Sequence, residues 1–82
     1  MDDTLSRIKK VVGEHLGIGS ERIILEANFV DDLGADSLDS IELTMAFEQE
    51  FNIDIDDTQA DSLVTVAMVF EYINQVRRIH DK

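Results

Sequence analysis

The residue types that could do chemistry are few in this sequence of 82 residues. It has no cysteine, which excludes a thiol nucleophile, a disulfide and a thiolate metal site. Its two histidines, His15 and His80, lie near the ends of predicted helices among ordinary surface residues. Nothing in the sequence places either beside a serine, as a catalytic triad requires, and no glycine-rich phosphate loop is present. We therefore predict that the protein is not an enzyme.

One segment could open a calcium loop, since Asp54, Asp56 and Thr58 have the spacing of its first ligands. The pattern then fails, because Gln59 stands where the turn glycine belongs and Thr65 where the closing glutamate belongs. We predict no defined metal site. Weak, nonspecific binding of divalent ions, which relieves repulsion among the acids, is the favoured interpretation.

The charge of the chain is strongly negative and unevenly placed, with a formal net charge of −11. Between Arg22 and Arg77 lie thirteen acidic residues and no lysine or arginine. Such a block repels phosphates, so nucleic acid is excluded as a partner, and it steers the protein toward basic patches on other proteins. The alternative is that the acids only keep the protein in solution.

The length and hydropathy of the chain predict a single domain, residues 1–82, with no membrane segment. The sequence begins with acidic residues, which is not typical of a signal or transit peptide. We therefore expect a soluble, cytoplasmic protein.

Apolar residues at helical spacing predict four helices and an all-α fold. The predicted segments are Thr4–Leu16, Ser37–Phe51, a short Thr58–Asp61 and Val66–Arg77. They form a small bundle of three main helices plus one short helix, with a long loop between the first and second helices. Asp3 or Thr4, Asp36 and Thr65 are the expected N-caps, and Gly17 is the expected stop of the first helix.

The long loop, residues 17–36, is unusually apolar. Because these side chains would otherwise be exposed, we expect the loop to lie across the core. The apolar residues in question are Ile18, Ile23, Leu25, Phe29, Val30 and Leu33.

The second helix has apolar residues on two opposite sides. One stripe contains Leu43, Ala46, Phe47 and Phe51, and the other contains Leu38, Ile41 and Met45. A helix at the edge of a small bundle buries only one stripe, so the second is either covered by the loop or exposed for a partner. Because acids surround this second stripe, it suits an apolar groove rimmed with arginine and lysine.

Residues 29–43, with the sequence FVDDLGADSLDSIEL, closely resemble the acyl carrier protein family. The similarity extends over nearly the whole chain and centres on Asp36, Ser37 and Leu38. The resemblance implies that Ser37 is esterified by 4′-phosphopantetheine, which is transferred from coenzyme A. Taken alone, Ser37 would be an ordinary serine at a helix start. A chain without cysteine needs an external thiol to carry thioesters, which agrees with the implied arm.

The resemblance also implies partners: a phosphopantetheinyl transferase, and enzymes of fatty acid or related acyl chain synthesis or of acyl transfer, with basic docking patches. The protein itself is expected to be a monomer. The implied docking residues are Asp36, Asp39, Glu42, Glu48 and Asp57 with the apolar Leu38, Ile41 and Met45. The implied lining of an acyl pocket is Phe47, Ala60, Leu63 and Val69. Solvated acids and ordinary core packing are the alternatives for these residues.

The sequence leaves the cargo open, because it departs from the family in several places. Ile55-Asp56-Asp57 lacks the proline that is common before the third helix, and the run Ile23-Ile24-Leu25 is unusual. A carrier of an aminoacyl, polyketide or other specialised acyl group is therefore the nearer alternative. An acidic helical interaction or ion-binding module without a covalent arm is the alternative from another class.

Overall fold

The computed structural model describes the backbone of residues 4–80 and the side chains of residues 4–77. It has four helices, α1 (Thr4–Leu16), α2 (Ser37–Phe51), α3 (Asp57–Ser62) and α4 (Val66–His80). In this part of the chain no strand forms, and an isolated antiparallel bridge joins Asn28 to Thr65. The predicted all-α bundle of three main helices and one short helix is confirmed.

The helix ends follow the predicted signals closely. Helix α1 stops at Gly17, whose φ of 71° is costly for any residue with a side chain. Thr65 caps α4, because its Oγ1 accepts a hydrogen bond from the amide of Met68 at 3.3 Å. The expected cap Asp3 lies outside the described residues. Thr4 belongs to α1 itself, and its Oγ1 accepts a hydrogen bond from Arg77 Nη1 at 3.0 Å.

Two helices, α3 and α4, differ from the prediction in their bounds. Helix α3 is one residue longer at each end, because the side chain of Asp56 accepts a hydrogen bond from the amide of Gln59 at 2.8 Å and so starts the helix earlier. Helix α4 continues beyond Arg77 to His80. Neither change moves a residue to a different element of the bundle.

The core is formed by α1, α2, α4 and the loop between α1 and α2. The most completely buried side chains come from α1, the loop and α4. They are Ile8 and Val12 of α1, Ile23 of the loop, and Val66, Val69 and Ile73 of α4, while Leu43, Phe47 and Phe51 of α2 are also buried. The inward stripe predicted for α2 thus faces the core, although Ala46 is only half-buried.

The long loop lies across the core as expected, but not with all of its apolar residues. Ile23, Phe29 and Leu33 are buried, whereas Leu25 and Val30 are exposed, contrary to the expectation. The reason is local: Leu25 and Val30 lie in turns of the loop, and the turn that follows Asn28 buries Phe29 and Leu33 while it leaves Val30 exposed. The loop also contains a 3₁₀ turn, Ser20–Arg22, that the sequence pattern did not predict.

Backbone hydrogen bonds tie the loop to the start of α4. The amide of Phe29 donates to the carbonyl of Val64 at 3.1 Å, and the amide of Val66 donates to the carbonyl of Ala27 at 3.1 Å. These bonds hold the loop beside the segment between α3 and α4. Within residues 4–80, none of the helices has both the length and the apolar character needed to cross a membrane.

Candidate functional site

Ser37 is the first residue of α2, and its side chain is exposed. The approach to it is firmly anchored, because Ala35 is buried and its amide donates to the carbonyl of Phe29 at 2.8 Å. Just before this anchor, Gly34 takes a φ of 79°, which redirects the chain toward the helix. The loop therefore fixes where the Ser37 hydroxyl stands, while leaving it open to solvent.

A reciprocal pair of hydrogen bonds fastens the start of α2. The amide of Asp39 donates to Asp36 Oδ1 at 2.8 Å, and the amide of Asp36 donates to Asp39 Oδ2 at 3.1 Å. This capping box satisfies two backbone amides, and Ser37 lies between its two members. The N-terminal end of a helix also carries partial positive charge, which favours a phosphate ester on a residue at that position.

The outward stripe of α2 is not covered by the loop. Leu38 and Ile41 are each 60% exposed and Met45 is 53% exposed. The sequence left open whether the loop covers this stripe or leaves it exposed, and in the structure it is exposed. Exposed apolar side chains in a row along one helix are typical of a surface that binds another protein.

A groove between α2 and α3 brings several of the predicted docking residues together. Ile41, Met45 and Glu48 line it from α2, and Asp57 lines it from α3. Leu38, Asp36, Asp39 and Glu42 are not part of this groove. The predicted docking residues thus extend from the start of α2 to the groove beside α3.

Several of the predicted docking acids already have partners inside the protein. Asp36 and Asp39 form the capping box, and Glu48 Oε2 accepts a hydrogen bond from the amide of Ile55 at 2.7 Å. Glu42 Oε1 lies 3.0 Å from His15 Nε2. Asp57, by contrast, lies exposed in the first turn of α3.

The acids Glu48 and Asp56 also affect the pKa of a nearby tyrosine, Tyr72. The Tyr72 hydroxyl donates to the carbonyl of Asp54 at 3.5 Å. Burial raises the pKa of Tyr72, and the nearby charges of Asp56 and Glu48 raise it further. The phenol therefore stays in its neutral, hydrogen-bond-donating form.

A cavity of about 200 Å³ lies next to the α2–α3 groove, between α2, the loop, α3 and α4. All four residues predicted as pocket lining, Phe47, Ala60, Leu63 and Val69, surround it. The sequence reasoning missed the remaining lining residues, which are Phe29, Val30, Ser40, Leu43, Thr44, Asp61 and Val64.

The missed lining includes polar groups that the sequence pattern could have revealed. Ser40 and Thr44 are four residues apart on α2 and lie between the two apolar stripes, so they share a face. Thr44 Oγ1 donates a hydrogen bond to the carbonyl of Ser40 at 3.0 Å. The hydroxyl hydrogen of Thr44 is therefore already used within α2. At the apolar side of the cavity, the rings of Phe29 and Phe47 stand 6.5 Å apart between their centroids.

His15 was also missed, because the sequence analysis treated it as a surface residue without a role. In the structure its Nε2 atom lies 3.0 Å from Glu42 Oε1 and 3.7 Å from Asp39 Oδ1. Its neighbours are acids of α2, which no local pattern in the sequence could show. Among residues 4–77, no hydrogen bond joins His15 to the Ser37 hydroxyl.

An exposed hydroxyl at a capped helix start, an uncovered apolar stripe and a cavity lie along the same helix, and this arrangement suits a helical domain that holds a group for other proteins to act on. A family model described as a phosphopantetheine attachment site matches residues 6–73, well over half of the chain. The chain belongs to this phosphopantetheine-binding family.

This family agrees with the resemblance of residues 29–43 to acyl carrier proteins. Members are carriers to which 4′-phosphopantetheine is attached, and the chain is a carrier of this kind. Carrier domains of this family are generally non-catalytic, and they interact with transferases and with synthesis enzymes.

Proposed function

We propose that the chain is an acyl carrier in which the Ser37 hydroxyl bears the 4′-phosphopantetheine arm. One observation carries the proposal: Ser37 stands exposed at the capped start of α2, beside an apolar stripe that nothing in the described chain covers. In the attachment reaction the Ser37 oxygen bonds to the phosphorus of the arm and the phosphoanhydride bond within coenzyme A breaks. Adenosine 3′,5′-bisphosphate leaves with the electron pair of that bond, and the hydroxyl proton is released to the solvent or to a base of the transferase.

The residues around Ser37 fit a phosphate ester. The first amides of a helix point toward its N-terminal end, where they and the helix dipole stabilise negative charge. The capping box holds this end in place without enclosing the hydroxyl. When bound, the arm supplies the thiol that the chain lacks, so acyl groups can be carried as thioesters.

The docking surface in this proposal is the start and outer face of α2 together with α3. Leu38, Ile41 and Met45 provide its apolar centre, because they are more than half exposed. The acids provide its rim, which pairs with basic patches on the transferase and on the synthesis enzymes. The acids in question are Asp36, Asp39, Glu42, Glu48 and Asp57.

The cavity beside α2 is proposed to receive the acyl chain. Phe47, Ala60, Leu63 and Val69 offer it an apolar lining. An apolar cavity with few polar groups suits an acyl chain better than a charged aminoacyl group. This supports a role in fatty acid or related acyl chain synthesis, with the protein acting as a non-catalytic monomer that presents its cargo to partner enzymes.

Polar residues in the lining of the cavity favour a second candidate cargo. The cavity is also lined by Ser40, Thr44 and Asp61, whose oxygen atoms can interact with polar groups of a bound chain. An oxygenated chain, such as a polyketide intermediate, would find partners there that a saturated chain does not need. The two cargoes differ in their oxygen content, which makes them distinguishable by mass.

The proposal is tested on protein purified at its natural level of expression from the native host. We expect the intact mass to exceed that of the bare chain by one arm with or without an acyl group, and the added mass to map to the fragment that contains Ser37. The mass of the acyl group then identifies a saturated or an oxygenated cargo. A fully bare chain, or an arm on another residue, contradicts the proposal.

A further inference from the structure

We propose that His15, Asp39 and Glu42 form a site for a divalent transition-metal ion such as Zn²⁺, which bridges the end of α1 and the first turns of α2. This inference does not depend on the proposed function, and it revises the expectation that the chain has no defined metal site. It rests on one imidazole and two carboxylates that two different helices bring together.

The ligand atoms have the spacing that such an ion needs. His15 Nε2 lies 3.0 Å from Glu42 Oε1 and 3.7 Å from Asp39 Oδ1, and all three atoms lie within 4.8 Å of one another. An ion about 2.0–2.2 Å from each ligand requires ligand atoms roughly 3–4 Å apart. Small changes in side-chain torsion are therefore enough to close the site.

The ligand set selects the kind of ion. An imidazole nitrogen suits Zn²⁺, Cu²⁺ and Ni²⁺, whereas Mg²⁺ and Ca²⁺ prefer sites made only of oxygen. The side chains of His15, Asp39 and Glu42 are 24%, 33% and 49% exposed, so water can complete the coordination. The site is thus distinct from the Asp54–Asp56–Thr58 segment, where Asp56 is engaged as the cap of α3.

The surroundings hold the ligands in place. Asp39 and Glu42 are three residues apart on α2, so their side chains share one face of the helix. Asp39 Oδ2 already accepts a hydrogen bond from the amide of Asp36 at 3.1 Å, which orients its other oxygen toward His15. A hydrogen bond of this kind to a ligating carboxylate is typical of metal sites and strengthens them.

The rival explanation is an ordinary ion pair, in which the Nε2–H of His15 donates to Glu42. In the ion pair His15 Nε2 carries a proton, whereas in the metal site the same atom binds the ion. The distances alone therefore fit both explanations. Binding of the metal would engage two acids of α2 close to Ser37 and would fasten the two helices together. If the three side chains form only an ion pair, the protein has no reason to prefer Zn²⁺ over Mg²⁺. A preference for Zn²⁺ that depends on His15 therefore distinguishes a metal site from an ion pair.

The test uses the untagged full chain and Zn²⁺ itself, titrated by isothermal calorimetry in a buffer that contains millimolar Mg²⁺. We expect one equivalent of Zn²⁺ to bind despite the Mg²⁺, and His15→Gln to weaken this binding about 10-fold or more, as loss of ligand support does at metal sites. The matched control is His80→Gln, at the only other histidine of the chain, and it should bind Zn²⁺ like the wild type.

Circular dichroism of each variant shows that the helices are retained, and Co²⁺ absorption spectra give a second readout that reports directly on a bound nitrogen ligand. A second variant, Glu42→Gln, should also weaken Zn²⁺ binding. Equal affinity of His15→Gln and the wild type would overturn the proposal. The proposal would also be overturned if several equivalents of Zn²⁺ bound and Mg²⁺ displaced them. That result would indicate nonspecific binding of cations to the acidic surface.

Discussion

Helix α2 has different surroundings at its two ends. Near its C-terminal end, Phe51 is only 7% exposed, and the guanidinium groups of Arg7 and Arg77 lie 4.5 Å and 5.6 Å from the centre of its ring. Near its N-terminal end, Leu38 and Ile41 are each 60% exposed. Among the described residues, the acids of this end form no ion pair with arginine or lysine.

The C-terminal end owes its anchoring to α1 and α4. Arg7 Nε donates to Glu50 Oε2 at 2.8 Å, and Arg7 Nη2 donates to the carbonyl of Glu50 at 2.6 Å, one of the carbonyls that a helix end leaves unpaired. Asn52 then ends the helix in a left-handed conformation, with φ of 56°. Packing and charge therefore fix this end of α2, whereas the other end is uncovered.

The largest effect on stability is therefore expected at the C-terminal end. Phe51→Ala should lower the free energy of unfolding by about 3–5 kcal/mol, because it leaves a cavity and removes the ring that both arginines contact. Urea denaturation followed by circular dichroism measures this loss. Since domains of this size have little stability to spare, Phe51→Leu provides a milder variant that should stay folded.

Met45→Ala, at the exposed face, is the comparison for Phe51→Ala and should cost less than about 1 kcal/mol. If the two alanine variants lost equal stability, the contrast between the two ends of α2 would be wrong.

The opposite pattern is expected for partner binding. Met45→Ala should slow arm transfer by a phosphopantetheinyl transferase roughly 5-fold, as loss of a contact worth about 1 kcal/mol does. The measurement is kcat/KM for the carrier, with stability checked in parallel. The matched control is Met68→Ala, because Met68 is also an exposed methionine, 45% against 53% for Met45, but lies on α4. Equal slowing in both variants would count against α2 as the docking face.

Much of this contrast could be predicted from the sequence. The bounds of α2, its cap at Asp36 and its two apolar stripes all follow from helical periodicity and capping preferences, which are local properties. The four predicted cavity residues also share one cavity, because apolar residues on facing helices meet in a small bundle.

The sequence could not predict contacts between distant residues. His15 lies more than twenty residues before Asp39 and Glu42, and only the packing of α1 against α2 brings them together. The exposure of Val30 was likewise hidden, because Val30 lies in the turn that follows the bridge between Asn28 and Thr65. Pairings of this kind are tertiary, and hydrophobic spacing alone does not encode them.

The central claim is that Ser37 is the point of attachment of the arm. The most direct measurement is the intact mass of the wild type, Ser37→Ala and Ser40→Ala after incubation with coenzyme A and a phosphopantetheinyl transferase. Ser40 is the matched control, since it is the next serine on α2 and is partly buried. The account predicts one added arm on the wild type and on Ser40→Ala, and none on Ser37→Ala. An arm on Ser37→Ala, or a wild type that stays bare while a known carrier is modified in the same reaction, would contradict it.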